Sequence, residues 1–477
     1  MNLRSSLAGA ALVWLAACSS ASSSDAPPPA AAVDAGPKAP PVWGVTTFED
    51  INPDPNIVEV ALEAAPTTIS YQDGKTTNIV AYNGSVPGPL LEAKVGDEIV
   101  VHFTNSSSKP TTIHWHGLRI SDQMDGSPRI QKPVAPGATF TYRFKAPDAG
   151  SFWYHPHVHA NEQIESGLYA PIVIRGKNEP TYDQERYLLL DDVLLDTKGQ
   201  LAVEPFRSGP NAMHGRYGNV LLTNGHEGKS YRGEAKQGQV ERWRLVNTAN
   251  ARTMVLGIKG ATFRVIGTDG GLLAQPYTVT DKLELPVGAR FDFEVTYDTA
   301  GVAELTNYIP TQNAKGDIVD EPVPAFQVDV APGGAPRSVD YPAIEPLPAR
   351  APDQTVSVEI NAVQTPSGQI EWQLNGQAMT GNMSDTEAHA PLFTFKRGAT
   401  VRIKLTNKIG PEHPFHLHGQ FFTIRDPKKP GLKDVVLVPG VSTVEVDAYF
   451  DNPGRWMAHC HNLEHAELGM MSEIVVE

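Results

Sequence analysis

Cysteine is almost absent from this chain: Cys18 and Cys460 are the only two among 477 residues. Positive charge is short as well, with 39 Lys and Arg against 54 Asp and Glu, for a formal net charge of −15. Phosphate recognition needs a basic face, so nucleic acid is excluded as a partner. No stretch sustains helical periodicity, and past the first residues no apolar run has the length of a membrane-spanning helix. Glycine and proline are plentiful instead, at 41 and 40 residues, which favours many short strands punctuated by turns. A chain of this length is expected to divide into about three domains.

The start of the chain reads as a targeting segment. Met1 to Arg4 give a short positive start, Ser6 to Ala17 a brief apolar run, and Leu15-Ala16-Ala17-Cys18 resembles a bacterial lipobox. Residues 1–17 are therefore expected to be a lipoprotein signal peptide, with Cys18 lipidated as the new N-terminus. Residues 18–42, rich in Ser, Ala and Pro, read as a disordered tether. The mature protein is expected in the cell envelope, lipid-anchored at the periplasmic face or the outer membrane and touching membrane through that lipid alone. With Cys18 given to lipid no disulfide can form, and Cys460 needs another explanation.

From residue 43 the patterning is all-β. Runs such as Ile57–Leu62, Glu98–Phe103, Thr139–Phe144, Arg242–Val246, Phe291–Thr296 and Thr400–Leu405 alternate with Gly, Pro and Asn. A repeat runs through them. Gly96, Gly238 and Gly398 each stand nine residues before an asparagine, Asn105, Asn247 and Asn407, with an apolar alternation between. Three copies imply three similar β-domains, at 43–176, 177–335 and 350–477. The proline-rich stretch around 336–349 links the second to the third.

Histidine follows the repeat. Nine residues after Asn105 comes His114-Trp115-His116, and nine after Asn407 comes His416-Leu417-His418. The same offset in the middle copy lands on Leu256, with Ile258 two residues on. Gly150 precedes His155-Pro156-His157 by five residues, and Gly454 precedes His459-Cys460-His461 by five. Alternate residues of a strand share a face, so each pair aims two imidazoles one way. Neutral imidazole is a favoured ligand for copper. The third unit adds His413, Cys460, His465 and Met470 where the first has Thr111, Pro156, Asn161 and Ser166. Two imidazoles, a thiolate and a weak axial thioether form the ligand set of a blue, type 1 copper. Met471 fits the axial place less well by spacing. His102, His159, His214, His226 and His389 fall outside the pattern and read as surface or supporting groups.

On these motifs the chain from about residue 43 to 477 resembles a three-domain, laccase-like bacterial multicopper oxidase. Tyr82-Asn-Gly-Ser-Val-Pro-Gly-Pro and Gly167-Leu-Tyr-Ala-Pro also match. The resemblance implies three cupredoxin-type Greek-key β-sandwiches and four copper ions. It assigns His413, Cys460, His465 and Met470 to type 1 copper, and His114 and His416 to type 2. One type 3 copper would take His116, His155 and His461, and the other His157, His418 and His459. It gives Asp125, in the Met-Asp-Gly segment, a catalytic part in proton delivery. Relatives that carry Glu directly after the last type 1 histidine differ from this chain, which has Ala466 there. The implied activity is one-electron oxidation of a small reductant, a phenol or aromatic amine, coupled to reduction of dioxygen to water. A metallo-oxidase of Cu(I), Fe(II) or Mn(II) is the second reading and a copper-free envelope scaffold the third. A monomer is expected.

Overall fold

Each of the three repeats opens a sheet in the same way. In the computed structural model, which describes residues 42–202, 206–312, 317–379 and 390–477, Gly96, Gly238 and Gly398 all have φ between +86° and +94°. A positive φ suits glycine, which carries no Cβ to clash, and the chain turns there into the next strand. The strands that follow are Glu98–Asn105, Val240–Asn247 and Ala399–Asn407. Each pairs in parallel with an earlier strand, Ile57–Ile69, Gln184–Val193 or Gln354–Gln364. Each also pairs antiparallel with a later one, Thr139–Lys145, Arg290–Thr296 or Ser442–Phe450.

The asparagine that closes each strand is a clamp. The side-chain amide of Asn105 donates to the carbonyls of Lys109 and Val134. Asn247 does so to Arg252 and Leu285, and Asn407 to Pro411 and Pro439. Burying these carbonyls without a donor would cost about 1–3 kcal/mol each, so one amide ties the strand exit to two later loops.

A second sheet completes each sandwich. In the first, Gly150–His155 lies between Ala170–Arg175 and His114–His116. In the third, Gly454–Cys460 lies between Met471–Val476 and His413–Leu417. The middle repeat has the same arrangement, with Gly301–Gln312 between Ile318–Ala331 and Met254–Lys259. There Leu256 is buried in the core and Thr306 stands five residues after Gly301, in the place of His155 and His459. Among the described residues this makes six sheets, with three short α-helices, and the fold is mostly β with three cupredoxin domains. Separate apolar cores form around Trp115, Trp243 and Trp456.

The expected signal segment, the tether up to residue 41 and His389 lie outside the described residues. Where the described chain begins, Val42–Trp43 pairs in parallel with Gln184–Val193, so it joins the middle sheet before entering the first. No helix of the described residues is long and apolar enough to cross a membrane.

Candidate metal centre

Strand register brings the histidine pairs together. His114 stands opposite His155, and His116 opposite Trp153. In the third domain His416 stands opposite His459 and Leu417 opposite Ala458. Trp115 and Leu417, pointing the other way, go into their domain cores. The two His-bearing sheets face one another. His114 stacks on His418 with centroids 3.8 Å apart, and His116 stacks on His416 at the same distance. All eight imidazoles of the four pairs are buried.

Backbone carbonyls set the tautomers. Nδ1 of His114 donates to the carbonyl of Asp125 at 3.0 Å, and Nδ1 of His416 to that of Asp434 at 2.9 Å. Both Nε2 atoms are left inside the cluster without a protein partner. His155 and His459 likewise turn Nδ1 to the carbonyls of Pro156 and Cys460. Their Nε2 atoms then meet other ring nitrogens: His116 Nδ1 at 3.4 Å for His155, and His418 and His157 Nε2 at 3.1 and 3.4 Å for His459. Burial, with the neighbouring imidazoles adding to it, holds His116, His155, His157, His416, His418 and His461 well below the ordinary histidine range. His459 is pushed down to about 4 by burial. Neutral rings with orphaned or mutually facing lone pairs are what a metal cluster requires, because the ligating form of imidazole is the unprotonated one.

The ring nitrogens of His157, His418 and His459 lie within 4.8 Å of one another, as do those of His114, His116 and His155, and of His114, His416 and His418. His461 belongs to none of these close groups. Its ring is 5.0 Å from that of His116 and 5.4 Å from that of His155, and neither of its nitrogens has a partner.

A second site lies next to the first along the chain. Cys460 Sγ stands 3.7 Å from His413 Nδ1 and 3.8 Å from His465 Nδ1, and the two nitrogens are 3.1 Å apart. The backbone N–H of Asn462 donates to the sulfur at 3.4 Å, and Nε2 of His465 donates to the carbonyl of Met213. Burial raises the Cys460 thiol and lowers His413 to about 3, so only a bound cation would favour the thiolate here. Met470 is fully buried in the apolar cluster that holds Cys460, and its carbonyl accepts from the Cys460 N–H. Met471 packs elsewhere, with Met379, Met457 and Ala466.

The residues that brace the larger site were only partly legible in the sequence. Asp125 is fully buried, with one carboxylate oxygen 2.8 Å from His418 Nδ1 and the other 3.2 Å from His114 Nδ1. Burial raises its carboxyl above the usual range. Asp434, Arg290 and Gly288 carried no motif. The Arg290 guanidinium holds both carboxylate oxygens of Asp434 at 2.6 Å, and Asp434 lies 3.2 Å from His116 Nε2. Asp269 in turn accepts from the backbone N–H groups of Arg290 and Asp434. Gly288 sits directly on the imidazoles, since a Cβ there would come within 3.0 Å of both His116 and His461. The middle domain has given up the histidines, yet it walls the cluster. A charged Arg290 in an otherwise apolar run was the one signal available.

Of the two acids flanking Ala466, Glu464 is fully buried against the backbone N–H of Arg216 and the amide of Asn250. Glu467 accepts from the N–H of Ala160 at 3.1 Å. Both therefore tie the third domain to its neighbours. Outside the cluster, His102 pairs with Glu59 and His226 stacks on Tyr231, while His159 lies 3.9 Å from Glu467 and the carbonyl of His214 accepts from Asn462.

Three cupredoxin domains with a buried histidine cluster between the first and third, and a site of one cysteine and two histidines one residue along the strand, define a copper-dependent oxidoreductase. Multicopper oxidase family models match residues 63–179, 150–317 and 351–477. The chain is 29% identical to the multicopper oxidase MmcO of Mycobacterium tuberculosis, over 96% of this chain and 93% of that one. It is also 29% identical to Laccase-1 of Botryotinia fuckeliana, over 86% and 80%. The crystal structure of a multi-copper oxidase from Pseudomonas thermotolerans superposes with a TM-score of 0.76 at 30% identity, covering 88% of this chain and 99% of that one. The chain belongs to the multicopper oxidase family. Its cofactor is copper, and its reaction takes electrons from a reducing substrate to dioxygen.

Proposed function

We propose that the reductant is a phenol or aromatic amine, giving up one electron at a time beside His413 and His465. The observation that carries this reading is the wall of that site. The partly exposed Phe206 and Met213 pack over the same cluster, and behind them the buried Trp372 ring lies 4.1 Å from the His465 ring and 4.9 Å from that of His413. An apolar, aromatic wall suits a flat organic donor better than a hydrated cation.

In this reading His413, Cys460, His465 and Met470 hold type 1 copper, and His114 and His416 hold type 2. His116, His155 and His461 hold one type 3 copper, and His157, His418 and His459 the other. The copper ions, when bound, supply the single-electron steps that join oxidation of the reductant to reduction of dioxygen to water. Cys460 lies between His459 and His461 in the chain, so the two sites are joined by a few covalent bonds. Asp125 orients His418 through Nδ1 and serves the proton delivery that reduction of dioxygen requires.

A second reading has its own observation. Met379, Met457 and Met471 form a buried thioether cluster beside Ala466, and thioethers suit Cu(I). Oxygen uptake by copper-loaded protein, compared across phenols, Cu(I), Fe(II) and Mn(II), separates the two. Faster turnover of any of the metal ions than of every phenol would reject the organic reductant. We also propose that Cys18 anchors the protein by lipid, its tether holding the oxidase clear of the membrane. The test is fractionation of cells making wild-type and Cys18→Ala protein, and equal recovery of both as freely soluble protein would reject the anchor.

A further inference from the structure

Behind the histidine cluster, between the middle and third domains, lies a cavity of about 380 Å3 that the copper chemistry does not use. That is within the ~300–1,000 Å3 range of small-molecule sites. Four lysines line it, Lys282, Lys428, Lys429 and Lys433, against two acids, Glu284 and Asp426. Lys282 is committed to Asp320 and Lys429 to Glu284. Lys428 and Lys433 remain.

Lys433 is the unusual one. Its side chain is 7% exposed, and its Nζ stands 4.1 Å from the centroid of the Phe291 ring. Its ion pair among the described residues is with Asp269, at 4.0 Å, beyond hydrogen-bond reach. Asp269 already accepts from the backbone N–H groups of Arg290, Asp434 and Val435. Among the described residues no protein acceptor lies within hydrogen-bond reach of this nearly buried ammonium, and burial pushes Lys433 below the ordinary lysine range. The walls around it are apolar, with Leu283, Phe291, Val435 and Leu437 among them.

We propose that this cavity binds a small amphipathic organic monocarboxylate, its carboxylate on Lys433 and its apolar body against Phe291. Binding there reaches the oxygen-reducing centre through one layer of protein. Pro286 and Ala289 line the cavity, and Gly288 between them rests on His116 and His461. Lys433 directly precedes Asp434, whose carboxylate lies 3.2 Å from His116 Nε2 and whose carbonyl accepts from His416. The ligand is thus an effector of the histidine cluster from a cavity separate from the Cys460 site. Its binding does not depend on which reductant the enzyme uses.

The test is calorimetric titration of copper-loaded full-length protein with benzoate, with benzyl alcohol and acetate as the uncharged and bodiless controls. Saturable binding of about one benzoate is expected, at least tenfold tighter than either control. Lys433→Met should weaken it at least tenfold and the exposed Lys428→Ala a few-fold, with the blue band of each variant retained as the check on folding. Val255→Trp, at a partly exposed position of the cavity wall, keeps both lysines and should abolish binding by filling the space. The electron paramagnetic resonance signal of type 2 copper should shift on saturation while the blue band stays. Absence of benzoate binding would overturn the proposal. So would binding that Lys433→Met and Val255→Trp leave unchanged, or binding that azide displaces competitively, which would place the carboxylate on copper instead.

Discussion

Gly288→Ala tests whether the middle domain shapes the oxygen-reducing centre. Gly288 has φ +85°, where an L-residue costs about 1–2 kcal/mol. The added methyl would stand 3.0 Å from His116 Cε1 and 3.0 Å from His461 Cδ2, so both rings must retreat by a few tenths of an ångström. The His116 ring is backed by Asp434 at 3.2 Å, while the His461 ring, whose nitrogens have no protein partner, can yield only by leaving the position it holds beside His116 and His155. Metal sites tolerate displacements of about 0.2 Å in ligand distance, so the strain should appear in copper retention more than in folding. Gly96→Ala is the control, because Gly96 has φ +94° and a Cβ there would meet nothing within 4 Å. Both variants should lose the backbone term of about 1–2 kcal/mol in chemical unfolding. Gly288→Ala alone should lose cluster copper by mass spectrometry and show an altered type 2 resonance, with its blue band intact. Four coppers and an unchanged resonance in Gly288→Ala would refute the idea that this glycine is a wall of the cluster.

Cys460→Ser should abolish the blue thiolate-to-copper band and substrate oxidation while about three coppers stay bound; absorbance and copper counting read this directly. Asp125→Asn should slow reoxidation of fully reduced enzyme by oxygen by about tenfold or more in stopped flow and leave reductive bleaching of the blue band nearly unchanged. Unaltered reoxidation across pH would leave Asp125 only an orienting role. Glu165 is raised by burial to about 7. An acid raised on folding contributes stability that is whole below its unfolded value near 4.5 and is lost as pH rises through about 7. The shift corresponds to roughly 3 kcal/mol. Between pH 5 and pH 8 in chemical unfolding, wild type should lose that contribution relative to Glu165→Gln, the depressed histidines adding the same opposing slope to both; an unchanged difference would dismiss Glu165 as its source.

The histidine pairs could be read from sequence because strand alternation is local: residues two apart share a face wherever the strand goes. The repeated nine-residue offset from Asn105 and Asn407 then matched the first domain to the third. The same offset exposed the middle domain's loss, at Leu256, in the sequence itself. Other features depend on how distant segments converge, and no periodicity marks them. Arg290 and Asp434 are 144 positions apart and meet only when the middle and third domains pack. Gly288 was one glycine among 41 until its neighbours were known. Glu464 and Glu467 were visible near Ala466, but their directions follow from the short helix Leu463–Glu467 and its packing on Arg216, Asn250 and Ala160.

The Arg290–Asp434 pair bears on how the domains share one site. His116 comes from the first domain, Arg290 from the middle and Asp434 from the third, and all three are buried where they meet. Leaving one partner of such a buried pair unmatched costs about 3–5 kcal/mol. In the docked molecule, loss of Arg290 would leave the Asp434 carboxylate buried against His116 without its cation. The walls of the pocket for the metal cluster are therefore shared among all three domains, and a substitution that loosens any one of them opens the site that the other two hold.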